Sequence, residues 1–223
     1  MSDFRDPFET AHWDLVPGRT VLLHIDLQND FLHPDGWYAQ KQIDIGHMRR
    51  VIEPAKQLTE AARAANVPVV WTRHGTRGVE DGGPFMRLRP FLHEGGLRVD
   101  TWGYELLDGL GADEADWLVH KPRLSAFYNT NLELVLRSLN AETVLITGVL
   151  TNQCVAATSK DAMFRDFKPI VVEECTGTTL PHLHGPAIEM IGVGWGQVNS
   201  LEQTLAELRA FPAAVAAAGR AGG

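Results

Sequence analysis

The chain has 223 residues, 44% hydrophobic and 22% charged, which is enough for one sizeable core and too apolar for a wholly disordered chain. With 20 Lys and Arg against 28 Asp and Glu, the formal net charge is −8. That balance argues against nucleic-acid binding by general electrostatics and leaves no polybasic cluster for an anionic membrane. In chain order, residues 1–19 read as a mixed, acidic arm without a signal-like apolar stretch, and no run approaches the roughly 20 residues of a membrane span. Apolar runs rich in Val, Ile and Leu follow at Thr20 to Ile25, Val67 to Thr72, Trp117 to His120, Thr143 to Thr147 and Pro169 to Val172, with a weaker one near Val193 to Val198. These are the expected strands. Between them, Ile45, Met48, Val51, Ile52, Ala55, Leu58 and Ala62 recur at helical steps, as do Leu132, Val135, Leu136 and Leu139. Further helices are expected from Val155 to Phe164 and from Leu201 to Leu208. Alternating strands and helices point to an α/β domain, a parallel sheet covered on both faces, over residues 20–210. The Ala-rich end, 211–223, reads as a loose tail. Two cysteines, Cys154 and Cys175, make no disulfide framework, so a reducing cytoplasm is expected.

In open parallel sheets, ligands bind beyond the carboxyl ends of the strands, where the strand order reverses. Three reactive side chains lie just past expected strand ends. Asp26 follows Ile25, Lys121 follows His120, and Cys154 follows the turn Gly148 to Gln153. At a helix start, Cys154 would have its thiol pKa lowered, and nearby backbone N–H groups could hold an oxyanion. The plainer reading of Cys154 is a small packed hydrophobe. A carboxylate near the thiol can exchange its proton, and a cationic Lys favours both anions. The segment from His74 to Gly103 is rich in Gly, Arg and Pro with no clean period. It reads either as a functional or oligomer-forming excursion or as a mobile surface loop.

The segments His24-Ile25-Asp26-Leu27-Gln28-Asn29-Asp30-Phe31 and Gly148-Val149-Leu150-Thr151-Asn152-Gln153-Cys154-Val155 resemble those of the isochorismatase-like cysteine hydrolase superfamily. Lys121, in His120-Lys121-Pro122-Arg123, supplies a third element in the expected order. The resemblance runs from about Thr20 to about Leu208. It implies a three-layer α/β/α fold with strand order 3-2-1-4-5-6 and an Asp26–Lys121–Cys154 triad. It further implies a non-proline cis peptide at Val149–Leu150, an oxyanion hole formed by the N–H groups of Leu150 and Cys154, and Phe31 as an aromatic packing on substrate. Lys121 to Thr130 is similar to the ureidoacrylate amidohydrolase branch, close to biuret hydrolases. The implied substrate is a small carbamoyl or ureido amide, cleaved through a thioester. True isochorismatases, which lack the nucleophilic Cys, are disfavoured by Cys154. Nicotinamidases carry Asp and His metal ligands after the second strand. Here that region reads Trp71-Thr72-Arg73-His74-Gly75-Thr76-Arg77, with one His and no Asp, so no metal and no other cofactor is expected.

Tyr128, Asn152 and Gln197 are polar candidates for substrate binding, and Trp71 and Arg73 for shaping the pocket or packing the core. Gly192-Val193-Gly194-Trp195-Gly196 lacks the spacing and the position of a dinucleotide loop and reads as a bend around the last strand. His182 and His184 read as a surface turn, and Cys175 as packing. The expected partners are a small amide and further copies of the chain in a homo-oligomer, with neither nucleic acid nor membrane. A silent binding member of the family and a redox-sensing thiol protein are the competing functional classes.

Overall fold

Six parallel strands pair in the order β3-β2-β1-β4-β5-β6: β1 Thr20–Ile25, β2 Val69–His74, β3 Trp117–Lys121, β4 Thr143–Val149, β5 Lys168–Gly177 and β6 Gln197–Asn199. This is the order expected from the sequence. The computed structural model describes residues 11–211; the first ten residues of the expected arm and 212–223 of the expected tail lie outside them. No helix among the described residues is long and apolar enough to cross a membrane.

The strands are apolar on both faces because helices cover both. One core joins Leu22, Val69, Trp71, Leu145, Ile170 and Val172 to Ala55, Leu58 and Ala62 of the helix Ile52–Ala64 and to Leu208 of the helix Leu201–Arg209. The other joins Val21, Leu23, Ile25, Val144 and Ile146 to the helices Leu132–Ser138, Ala156–Met163 and His184–Gly194. Each 3.3 Å step along a strand swaps faces, so neighbouring residues enter opposite cores. Ser200 caps the last helix by accepting a bond from the Gln203 N–H.

Several boundaries differ from the expectation. The helical run from Ile45 splits into Gly46–Arg49 and Ile52–Ala64. Pro54 sits in the first turn of the second piece, where its missing N–H costs nothing, and its ring bars a continuous helix through Arg50. The second strand runs on through His74. The last strand is only Gln197–Asn199, because Val193 and Gly194 close the helix His184–Gly194. The glycine-rich stretch Gly192 to Gly196 is therefore a helix end leading into β6.

The strand order reverses between β1 and β4, and their carboxyl ends define the crevice. There Gly148 has φ +109, and a Cβ at that position would lie 2.0 Å from the Ile25 carbonyl oxygen. Only glycine lets β4 come this close to the end of β1.

Candidate active site

Asp26 is the first residue past β1 and has a left-handed backbone, φ +54. That uncommon conformation for a residue with a Cβ turns the carboxylate into the rim. Thr72 of β2 holds it there. The Thr72 hydroxyl accepts a bond from the Asp26 N–H at 3.2 Å and donates to Asp26 Oδ1 at 2.6 Å. Asp26 Oδ2 faces Lys121, whose Nζ lies 2.7 Å away, with both side chains fully buried.

Lys121 ends β3, two strands from β1, and reaches across the end of β2. Its ammonium also donates to the carbonyl oxygens of Arg123 and Leu124, at 3.0 and 3.1 Å, and to Cys154 Sγ at 3.3 Å. Burial alone would lower its pKa. The Asp26 charge and the Cys154 sulfur outweigh that, so the net shift is upward and Lys121 stays cationic.

Cys154 lies in a π-helical turn, Thr151–Val155, between β4 and the helix Ala156–Met163. The Val149–Leu150 peptide before it is cis. The Leu150 N–H meets no acceptor among the described residues, and the Leu150 carbonyl closes the turn by accepting from Gln153 and Val155. The expected lowering of the thiol pKa is not found. Burial pushes Cys154 up to about 12, against the downward pull of Lys121, and Asp26 adds to the rise. The resting sulfur is a protonated thiol, because desolvation of a fully buried thiolate exceeds what one ammonium returns.

His74 was not expected here. It ends β2 in register with Lys121, on the same strand face as Thr72. Asp26, His74 and Cys154 bring ligand atoms within 4.8 Å of one another. The donor types suit a transition metal, but the Lys121 ammonium already contacts two of the three and opposes a second cation in the same space. Burial and then the Lys121 charge hold His74 well below the usual histidine value, so it is neutral. The period of two from Thr72 would have revealed His74, had the second strand been drawn two residues longer.

Phe31 is buried and packs on Tyr38, ring centroids 4.8 Å apart. Tyr38 borders a cavity of about 290 Å³ that also meets Leu150, just before the turn that holds Cys154, and Gln153 within it. The remaining wall comes from the excursion between β2 and β3, through Phe85, Arg89 and Phe91. That excursion is fastened by the stretch after Asp26. Gln28 accepts from the His74 N–H and donates to the His74 and Tyr104 carbonyls. Asn29 donates to the Trp102 carbonyl, and Asp30 accepts from the Leu97 N–H. A larger groove of about 640 Å³, lined by Gln57, Glu60 and Leu205 among others, meets neither the triad nor the turn that holds Cys154, whereas the smaller cavity meets that turn through Leu150 and Gln153 without a triad side chain in its lining.

Three expected substrate contacts are placed elsewhere. The Asn152 side chain accepts from the Thr178 hydroxyl and borders a different cavity, beside Ala187 and Met190; Gln153 lines the pocket instead. Tyr128 is 54% exposed. Gln197 lies on the edge strand, where its amide accepts from the Trp13 N–H and donates to Asn199. Trp71 is a core residue stacked on His24 at 4.2 Å, and Arg73 pairs with Glu105. Cys175 is buried in the core, as expected.

His184 is buried rather than in a surface turn. Arg50 lies 2.9 Å from its Nε2, and an arginine can only donate. Nε2 therefore carries a lone pair, and Nδ1 holds the proton that goes to the Thr151 hydroxyl oxygen at 3.0 Å. Burial, then Arg50, pulls His184 down to about 4, which keeps it in this neutral form. His47 packs edge-on against it, centroids 5.0 Å apart.

An Isochorismatase domain model matches residues 20–203. The chain is 33% identical over 202 residues to ureidoacrylate amidohydrolase RutB of Methylobacterium radiotolerans, covering 84% of this chain and 78% of that one. It is 34% identical over 195 residues to the RutB of Klebsiella pneumoniae subsp. pneumoniae, covering 81% and 80%. A cysteine hydrolase from Pseudomonas syringae pv. phaseolicola superposes with a TM-score of 0.84 at 25% identity, over 92% of this chain and all of the other. N-carbamoylsarcosine amidase from Thermoplasma acidophilum shares the fold, with a TM-score of 0.69 at 24% identity over 82% and 97%. On the domain match and the curated relatives together, the chain belongs to the isochorismatase family.

Proposed function

We propose that this family amidohydrolase cleaves a C–N bond of a small carbamoyl or ureido amide through a thioester at Cys154. The observation that carries the reading is the buried contact set in which one ammonium, Lys121, touches both Asp26 and Cys154. The ureido substrate class draws its support from the names of the curated relatives.

In the first step the Cys154 proton passes to Asp26 as the sulfur attacks the carbonyl carbon. A thiol held near 12 makes this transfer necessary, and Asp26 is the carboxylate within reach. The N–H groups of Leu150 and Cys154 receive the oxyanion. When the tetrahedral intermediate collapses, the C–N bond breaks and the departing nitrogen takes the proton from Asp26. Water then gives a proton to Asp26 and adds to the thioester. Collapse returns that proton to the sulfur and releases the acid or carbamate. Lys121 gives up no proton in this cycle; its charge balances thiolate and carboxylate in turn. No step calls for a metal, and we propose that dialysis against EDTA leaves turnover intact. The reading extends to a cytoplasmic homo-oligomer, whose size light scattering would give.

Ammonia release over a panel of ureidoacrylate, biuret, nicotinamide and a simple aliphatic amide tests the proposal. Carbamate decays to ammonia, so one assay reads cleavage on either side of a ureido carbonyl. Ureido compounds should exceed nicotinamide by more than about tenfold in kcat/KM, because sites that hydrogen-bond a substrate discriminate strongly against analogues lacking those groups. A best rate on nicotinamide or on the aliphatic amide would overturn the substrate class. Undiminished turnover in Cys154→Ala would overturn the thioester.

A further inference from the structure

The cavity beside the nucleophile turn is walled mainly by apolar and aromatic side chains, among them Ile43, Phe85, Phe91 and Leu180, and one cation enters it, Arg89. Its position follows from the sequence. Pro90 forces the preceding residue out of the helical region, and Arg89 adopts φ −120, ψ 79, ending the helix Gly83–Leu88. Other arginines around the excursion are engaged. Arg98 donates to the Leu92 and Gly96 carbonyls, Arg123 to the Asp81 and Pro122 carbonyls, and Arg73 pairs with Glu105. The Arg89 guanidinium has neither an ion-pair nor a hydrogen-bond partner among the described residues. It lies over the Phe85 ring, 5.7 Å from the centroid.

We propose that Arg89 is a specificity-determining residue that binds a carboxylate on the substrate, so the enzyme selects monoanionic ureido acids over neutral carbamoyl amides such as biuret. The inference rests on the amidohydrolase reading above and narrows its substrate class. A half-buried guanidinium with five donors and no acceptor lacks only an anion, and its planar fork matches a carboxylate. One guanidinium neutralises one charge. A phosphate dianion would leave a net negative charge against the apolar walls of a chain whose own charge is −8. Arg89 lines the same cavity as Leu150 and Gln153, so one small molecule in it can meet both the guanidinium and the turn that holds Cys154. Tyr38 lines the same cavity, and burial raises its phenol while Arg89 pulls it back.

The test compares 3-ureidopropionate with its neutral analogue propylurea, by ammonia release, in the wild type, Arg89→Gln and Arg89→Lys. The wild type should prefer the acid by about tenfold or more in kcat/KM, the range of a charge-assisted hydrogen-bonded pair. Arg89→Gln should lose about tenfold more on the acid than on propylurea, chiefly through KM, and Arg89→Lys should lose less. Equal losses on both compounds, or a wild-type preference for propylurea, would overturn the assignment. If no ureido compound turns over, the substrate reading above fails instead. Arg89 is then judged by calorimetry of both compounds on Cys154→Ser, where binding of the acid that is no tighter than that of propylurea, or that is unchanged by Arg89→Gln, rejects it.

Discussion

At Cys154 the structure separates two properties that a reactive cysteine often combines. The sulfur is positioned for attack, yet burial holds it as a thiol near 12. Iodoacetamide at neutral pH should therefore alkylate Cys154 no faster than a free thiol, with the rate climbing as the pH is raised. Rapid inactivation at pH 6 would mean a preformed thiolate and a different first step. Asp26→Asn keeps the shape and removes the base, and should lower kcat by at least about a hundredfold. Lys121→Met leaves the Asp26 carboxylate buried without its counter-ion, and the denaturation midpoint should report a loss of about 3–5 kcal/mol besides the loss of rate. The meeting of Asp26, Lys121 and Cys154 at one rim was legible because each lies at or just past a strand end in a recognisable segment. The state of the thiol was not, since helix position favours the anion while desolvation opposes it, and only the burial of Cys154 decides which prevails. The place of Gln197 was not legible either: polarity near a strand says nothing about which neighbour the side chain meets, here Trp13 and Asn199.

The π turn Thr151–Val155 and the helix His184–Gly194 act together. Arg50, His184 and Thr151 form a line of two hydrogen bonds that ends on the first residue of the nucleophile turn. His184→Ala should shift the Leu150 N–H and lower kcat by about tenfold with little change in KM, while His184→Gln, which can both accept and donate, should recover part of it. Steady-state kinetics of the two variants checks this, and an unchanged kcat in His184→Ala would leave the line a purely structural tie. The elements on the apolar period were readable in the sequence, the helix Ile52–Ala64 and the strands β1 and β4 above all. The helix His184–Gly194 was not. Pro186 and three glycines within it lower its local propensity, and packing of Ile191 into the core supplies what propensity does not.

At the scale of the whole molecule, three histidines among the described residues are buried in neutral form. His24, between the Thr147 and Thr59 hydroxyls, is pulled down to about 3 by burial; His184 is pulled to about 4, and His74 also lies well below the usual value. In the unfolded chain each binds a proton near pH 6.5, so the stability they contribute is complete above that pH. It is lost as pH falls towards the folded values, at up to about 1.4 kcal/mol per pH unit for each. The melting temperature should fall from pH 7 to pH 5, and a flat profile would contradict the burial of these rings. Order and direction of the sheet were legible from the resemblance and the alternation of elements. The shape of the excursion between β2 and β3 was not, because its contacts are made by Gln28, Asn29 and Asp30, which read locally as part of a catalytic segment. Those three tethers bear on protein engineering. The chain between the fastened residues His74 and Leu97 carries Phe85, Arg89 and Phe91 but not Asp26, Lys121 or Cys154, and it is tied further by Trp37 at the Phe91 carbonyl, Lys41 at Glu94 and Arg123 at the Asp81 carbonyl. Grafting another member's segment between the same tethers should change which amide is accepted while leaving the bond-breaking machinery in place.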